Sequence, residues 1–212
     1  MNNFSEIKES VVQGNCDKVL EMTKVALDSN VPAKEILDKG LIPGIMKVGD
    51  LFETGEYFLP ELLVSGEAMS GAVELLGPIL SKAHIPPAGK YLIGTVQGDV
   101  HDIGKNIVLM MLKGNGWDVT DIGVDVSPEE FCSAVEKGDF QILGLSSLLS
   151  TTMSSTVKTI NALKAAGLRD KVKVMVGGAP VTQEWADKIR ADGYAPDAPS
   201  AVRIARVLIG KS

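Results

Sequence analysis

His101 stands between two aspartates, Asp99 and Asp102, in the stretch "QGDVHDIGKNIV" (97–108), with Gly98 and Gly104 on either side. An aspartate two residues before a histidine can accept the N–H of one ring nitrogen. The other nitrogen then keeps a neutral lone pair, the form that binds a metal. The plainer reading is a half-exposed loop histidine held by Asp99. The chain has two histidines and two cysteines, and Cys16 and Cys132 lie far apart with no C-x-x-C. No Cys/His set has zinc-ligand spacing, so the cysteines read as thiols of a reducing compartment. A metal at His101 must therefore bring its other ligands with it, as the metal of a macrocycle does.

Other chemistries fail on spacing. A phosphate loop needs four residues between its glycines and Ser or Thr after the lysine. Here five residues separate Gly98 from Gly104, and Asn106 follows Lys105. Two aspartates in the loop would also repel phosphate. A dinucleotide fingerprint lacks its G-x-G-x-x-G, and a serine hydrolase lacks its G-x-S-x-G elbow.

The elements that must hold His101 follow from periodicity. Up to about residue 84 the apolar spacing is helical. Leu37, Leu41, Ile45, Val48 and Phe52 share one face, with Pro43 expected to kink or break the run. Leu62, Met69, Val73, Leu76 and Leu80 share another, with Pro60 in the first turn. Shorter helices are expected around 3–13 and 15–29, giving a small antiparallel four-helix bundle. "AHIPPAGK" (83–90) is linker chemistry, and His84 reads as a solvated linker residue. After residue 88 apolar strands alternate with helices. Ser127 and Glu130 form a capping box. The alternation predicts an α/β domain: a doubly wound, Rossmann- or flavodoxin-like five-stranded parallel sheet covered on both faces. Such sheets bind ligands at the carboxyl ends of their strands. The domain boundaries are placed at 1–86 and 87–212.

Composition narrows the partners. The 212 residues are 45% hydrophobic and 23% charged, as in an ordinary globular protein, and the net charge of −6 argues against nucleic acid. The sequence shows no unbroken apolar run of membrane-spanning length and no signal peptide in "MNNFSEIKES", so a cytoplasmic protein without a membrane partner is expected.

Asp99, His101 and Gly104 form D-x-H-x-x-G, which resembles the cobalamin-binding signature of methionine synthase and of the corrinoid proteins of anaerobic methyltransferase systems. Ser146-Ser147-Leu148 resembles the S-x-L that follows, and Gly177-Gly178 the later G-G. "VGDLFETGEYFLPELLVSGEAM" (48–69) is similar to the helical cap of that family. The likeness runs from about residue 15 to 205.

The resemblance implies a corrinoid bound with its lower base displaced and His101 as the lower cobalt ligand. In that reading Asp99 accepts the second imidazole N–H, and Ser146 hydrogen-bonds Asp99. Gly98, Asp102, Ile103, Gly104 and Leu148 line the site, and Gly177 and Gly178 leave room for the nucleotide tail. Ser150, Thr151 and Thr152 offer hydroxyls to the cofactor or cap the next helix. Phe52 and Leu59 shield the upper face or belong to the bundle core. The function implied is that of a methyl carrier, a subunit with no catalysis of its own. It would take methyl from a methyl-donor:corrinoid methyltransferase, the donor being an aryl methyl ether, a methylamine or methanol. A second methyltransferase with a tetrahydrofolate or thiol acceptor and a reductive activase complete the implied partners. The alternative is a cobalamin-binding sensor or regulatory module. Such modules usually add a DNA-binding domain, for which this acidic chain has no room. A mutase module would need a large barrel.

Overall fold

The computed structural model describes residues 4–211. The chain divides into two compact units. One runs up to Ala88 and includes Met110–Trp117; the other holds Gly89–Leu109 and the chain from Asp118 onward. The units are thus not contiguous in sequence, unlike the expected split at 86/87. Packing explains why 110–117 goes with the helices. A side-chain carbon added to Gly66 would lie 2.3 Å from the sulfur of Met110, and one added to Gly114 would lie 2.8 Å from Met69.

The helical unit contains α1 (Phe4–Val12), α2 (Cys16–Asp28), α3 (Ala33–Ile36), a π-helical turn (Leu37–Leu41), α4 (Ile42–Glu53) and α5 (Leu59–Lys82). The segment α3–π–α4 is continuous, so four rods result, as the periodicity predicts. The π turn immediately precedes α4, and Pro43 occupies the first turn of that helix, where a missing N–H costs little. Leu37, Leu41, Ile45 and Val48 are buried as expected, while Phe52 is half-buried and its neighbour Leu51 takes the core position. In α5, Leu62, Met69 and Leu76 are buried, Pro60 lies in the first turn, and Pro78 sits inside the helix without ending it. By length and a mean hydropathy of 1.2, α5 would be long and apolar enough to cross a membrane. The sequence reading found no such run because Glu61, Glu67 and Glu74 interrupt it. Its buried stripe, by contrast, belongs to the bundle core.

The other unit is the expected parallel sheet, in the order β2-β1-β3-β4-β5. Its strands are β1 (Lys90–Thr95), β2 (Asp118–Asp121), β3 (Ile142–Ser146), β4 (Lys173–Gly177) and β5 (Gly193–Ala195). Between and after them run α6 (Ile103–Gly114), α7 (Pro128–Lys137), α8 (Met153–Ala165), α9 (Gln183–Ile189) and α10 (Ala198–Leu208). Both residue sets of the inner strands are buried: Leu92, Leu143, Leu145, Val174 and Val176 on one face, Tyr91, Ile93, Ile142 and Met175 on the other. This is why the strands read as unbroken apolar runs. Phe131 and Val135 of α7 and Ile160 and Leu163 of α8 complete the first core. Ser127 caps α7 with Glu130, whose carboxylate accepts from the Ser127 N–H at 2.8 Å.

Register fixes the functional rim. Thr95 pairs with Ser146, Ser146 with Gly177, and Gly177 with Ala195, so the carboxyl ends of four strands form one row. From β1 the chain turns to β2 on one side and returns to β3 on the other. The crevice between the ends of β1 and β3 is the switch point at which open α/β sheets bind ligands.

Candidate functional site

The loop after β1 carries His101 to this crevice and is fixed by directed bonds. The Asp99 side chain is fully buried. Its Oδ1 accepts from the His101 backbone N–H at 3.1 Å and lies 2.7 Å from His101 Nδ1. Its Oδ2 accepts from the backbone N–H of Leu148 at 2.7 Å and of Leu149 at 3.3 Å, and from Thr152 Oγ1 at 2.8 Å. Burial alone would raise the Asp99 pKa. The bonds from the His101 imidazole, the Leu148 and His101 N–H groups and the Thr152 hydroxyl outweigh it and hold the carboxyl well below the usual range. A fixed carboxylate beside Nδ1 selects the tautomer that leaves the Nε2 lone pair free. Nε2 has no hydrogen-bond partner among the described residues, and the imidazole is 46% exposed. Thr95, the last residue of β1, donates from Oγ1 to the His101 carbonyl at 3.0 Å, so the backbone of His101 is held on both sides.

One implied contact is different here. The hydroxyl on Asp99 belongs to Thr152, not to Ser146. Ser146 ends β3 in register with Thr95, and the chain turns after it so that Leu148, Leu149 and Thr152 face Asp99. Thr152 occupies the N-cap position of α8 but makes no side-chain cap bond, because its hydroxyl is spent on Asp99 and on Ser147 Oγ at 2.9 Å. Ser150 and Thr151 are exposed on the same turn.

The glycines also have reasons of their own. Gly178 has φ +126°, and a side-chain carbon there would stand 1.9 Å from the Ser147 carbonyl oxygen, so the close approach of two backbones requires glycine whatever binds. A side-chain carbon on Gly177 would meet the Ala195 carbonyl at 3.2 Å. Gly104 has open space on its exposed side. Asp102 opens α6 and accepts from Asn106 Nδ2 at 3.1 Å. Gly98 donates its N–H to Asp125 at 2.6 Å.

Around the imidazole the rim is apolar and bare. Val100 and Ile103 are 68% and 70% exposed, and Leu148, Leu149 and Val124 are exposed as well. A lone histidine with a free ring nitrogen in an apolar collar would suit a flat macrocycle that brings its own equatorial ligands. No group of three or more His, Cys, Asp or Glu able to hold a bare ion occurs among the described residues. In the helical unit Phe52 is half-buried, Leu59 is 42% exposed, and Phe58, which sequence reasoning passed over, is 65% exposed. Thr95, Ser147, Lys105 and Asp125 also escaped the sequence reading. A polar residue closing an apolar strand was the one available signal, and it applies to Thr95 alone.

Comparisons with known proteins give the family of the chain. Residues 89–203 match one B12 binding domain family and residues 4–76 match a second family of the same description. A dimethylamine corrinoid protein of Methanosarcina acetivorans is 45% identical over 96% of this chain and 95% of its own length. A cobalamin-binding protein from Desulfitobacterium hafniense superimposes with TM-score 0.84 at 31% identity, covering 98% of this chain and 99% of that one. A methanol:cobalamin methyltransferase complex from Methanosarcina barkeri gives TM-score 0.84 at 31% identity, covering 99% of this chain and 80% of that one. With both domain families matched and a full-length relative at this identity, the chain belongs to the corrinoid proteins of the B12-binding family.

Proposed function

We propose that the protein is a methyl carrier of a multi-component methyltransferase system, with a corrinoid held at the His101 rim. The observation that carries this is the imidazole itself: Nδ1 on a buried carboxylate, Nε2 free, and an apolar collar in place of further ligands. Bound there, a corrinoid supplies a cobalt to which a methyl group can be attached and from which it can be removed. His101 Nε2 would be the lower axial donor, with the cofactor's own base displaced. Asp99 would orient the ring and hold its tautomer. Val100, Ile103, Leu148 and Leu149 would lie under the macrocycle, and the turn from Ser150 to Thr151 would offer hydroxyls to its amides. Phe52 and Leu59 have no donor atom and would cover without ligating.

The relative at 45% identity is named for dimethylamine, which favours a methylated amine as donor over the aryl methyl ether that heads the sequence-based expectation. The partners in this reading are an amine:corrinoid methyltransferase, a second methyltransferase that passes the group to a thiol or tetrahydrofolate, and a reductive activase. The cytoplasm is the compartment in which these would meet. The test is reconstitution: the reduced, corrinoid-loaded protein is mixed with purified mono-, di- or trimethylamine or methanol methyltransferase and its donor. Methylation of the bound corrinoid, read in the visible spectrum, should follow with an amine pair. Failure to accept methyl from every pair would reject the carrier and favour the sensor reading.

A further inference from the structure

We infer that Asp125, in the loop between β2 and α7, is a positioning residue for His101. The inference rests on the reading of His101 as the cobalt-facing ligand. The end of β1 and the start of the His101 loop, from Ile93 to Asp99, are bonded to residues 122–126. The Thr95 N–H donates to the Gly123 carbonyl at 3.0 Å, and the Val126 N–H donates to the Thr95 carbonyl at 3.0 Å. Asp125 extends this pairing past the end of the strand in two directions. Its backbone N–H donates to the Asp99 carbonyl at 2.9 Å, and its Oδ1 accepts from the Gly98 N–H at 2.6 Å. One residue therefore grips the two residues that turn the chain from β1 toward the imidazole.

Asp125 holds this place in a disfavoured backbone conformation, with φ +54°. Left-handed backbone is rare for a residue other than glycine, although aspartate tolerates it better than most. Glycine would fit the conformation without strain but has no acceptor for the Gly98 N–H. Gly98 itself has φ +86°, and its N–H finds its partner in the side chain of Asp125 rather than within its own loop. Strain retained where it serves a directed contact is the pattern expected of a positioning element.

The loop that carries Asp125 is anchored at its other end by a buried cation. The side chain of Lys105, in the first turn of α6, is 2% exposed. It forms an ion pair with Asp121 and a 3.0 Å hydrogen bond to Asn106 Oδ1. Asp121 Oδ1 in turn accepts from the Gly123 N–H at 3.0 Å. Asp125 is thus held from the start of the very helix that follows His101. The bonds form a closed circuit: His101 loop, α6, Lys105, Asp121, Asp125 and back to Gly98. A displacement of the β2–α7 loop would be felt at Asp99, and through Asp99 at the imidazole.

The test compares Asp125→Gly, which relieves the backbone and removes the acceptor, with Asp125→Asn, which keeps both the tolerance and a side-chain oxygen. The first readout needs no cofactor. The chain has two histidines, so ¹⁵N-histidine labelling of the apo-protein at pH 8 gives two imidazole spin systems, with exposed His84 as the internal reference. In the wild type and Asp125→Asn, His101 should show a single fixed Nδ1–H tautomer. In Asp125→Gly its nitrogen shifts should move toward the averaged values of His84, with no loss of thermal stability. The second readout is the dissociation rate of bound cobalamin. It should rise ~10-fold in Asp125→Gly, at the lower end of what loss of an indirect support for a metal ligand costs. If Asp125→Asn behaves like Asp125→Gly, the negative charge is what positions the loop and the assignment stands. If Asp125→Gly leaves both the His101 shifts and the dissociation rate at wild-type values, Asp125 is an ordinary turn residue. His101→Ala separates the two readings: should it leave the cobalt spectra unchanged, the ligand assignment fails while the apo-protein tautomer data remain a valid measure of Asp125.

Discussion

The rim of the sheet and the start of α5 both expose apolar surface, yet they are built by opposite means. At the rim one carboxylate collects three N–H groups or ring nitrogens and a hydroxyl within 3.1 Å, plus a longer N–H contact at 3.3 Å. Each bond has a direction, and together they fix one nitrogen lone pair. From Phe52 to Leu63 the exposed large apolar side chains are Phe58, Leu59 and Leu63, with the Glu61 carboxylate holding the Phe58 N–H at 2.9 Å to start the helix. Apolar contact has no direction. A ligating atom must be aimed, whereas a cover needs only area.

The contrast is broken most sharply at His101. His101→Ala should abolish axial nitrogen ligation, so that the nitrogen splitting in the EPR spectrum of the Co(II) protein disappears. The variant also removes the imidazole bond to the buried Asp99 carboxylate, so the apo-protein should lose about 1.5 kcal/mol, the low end for a hydrogen bond to a charged group because the ring is half exposed. Splitting that survived would show the donor to be some other group.

Asp99 comes next. Asp99→Asn keeps the size and loses the charge, and should cost ~10- to 100-fold in corrinoid affinity or methyl-transfer rate. The same variant has a signature in pH. The folded carboxyl titrates below its unfolded value of about 4, so the stability it supplies is present above about pH 4 and is lost as pH falls through the folded value. Thermal unfolding between pH 6 and pH 2 should therefore show a shallower acid decline in Asp99→Asn than in the wild type. Parallel acid limbs would mean that the bonds to Asp99 do not lower its pKa.

A smaller effect divides Thr152 from Ser146, and it also shows what the sequence could and could not disclose. The five parallel strands, the motifs that follow them and His101 itself are legible because they rest on local patterns: apolar runs, a D-x-H-x-x-G spacing and glycine pairs. The partners of Asp99 and Gly98 are not. They come from 53 and 27 residues away, and the turn that delivers them has no pattern of its own. The resemblance points to Ser146, the serine that ends β3, whereas the backbone brings round the threonine six positions later. Thr152→Val should cost about 1.5–3 kcal/mol in unfolding free energy of the apo-protein, the range for a hydrogen bond to a charged group. Ser146→Ala should cost about 0.5 kcal/mol or less. Equal losses would restore Ser146 as a support of Asp99.

The smallest expected effect on folding lies in the helical unit, and it probes whether area alone is the requirement there. The sequence left Leu59 as either core or cover, because a heptad-like spacing from Phe52 reads the same in both cases. Leu59 is 42% exposed, while Leu62, three residues on, is 1% exposed. Truncating Leu62 removes atoms from a packed core and should cost about 2–5 kcal/mol. Truncating Leu59 removes atoms already in water and should cost about 0.5 kcal/mol or less in the apo-protein. If Leu59 and Phe52 cover a bound corrinoid, their loss should appear elsewhere: faster photolysis of the methylated cofactor and a shorter lifetime of the Co(I) form, measured without any partner enzyme. His101 ligation should persist in both variants, since neither side chain touches the bonds that orient the imidazole. Leu59→Ala with core-like destabilisation and an unchanged Co(I) lifetime would place this residue in the bundle and leave the cover to other side chains, the exposed Phe58 first among them.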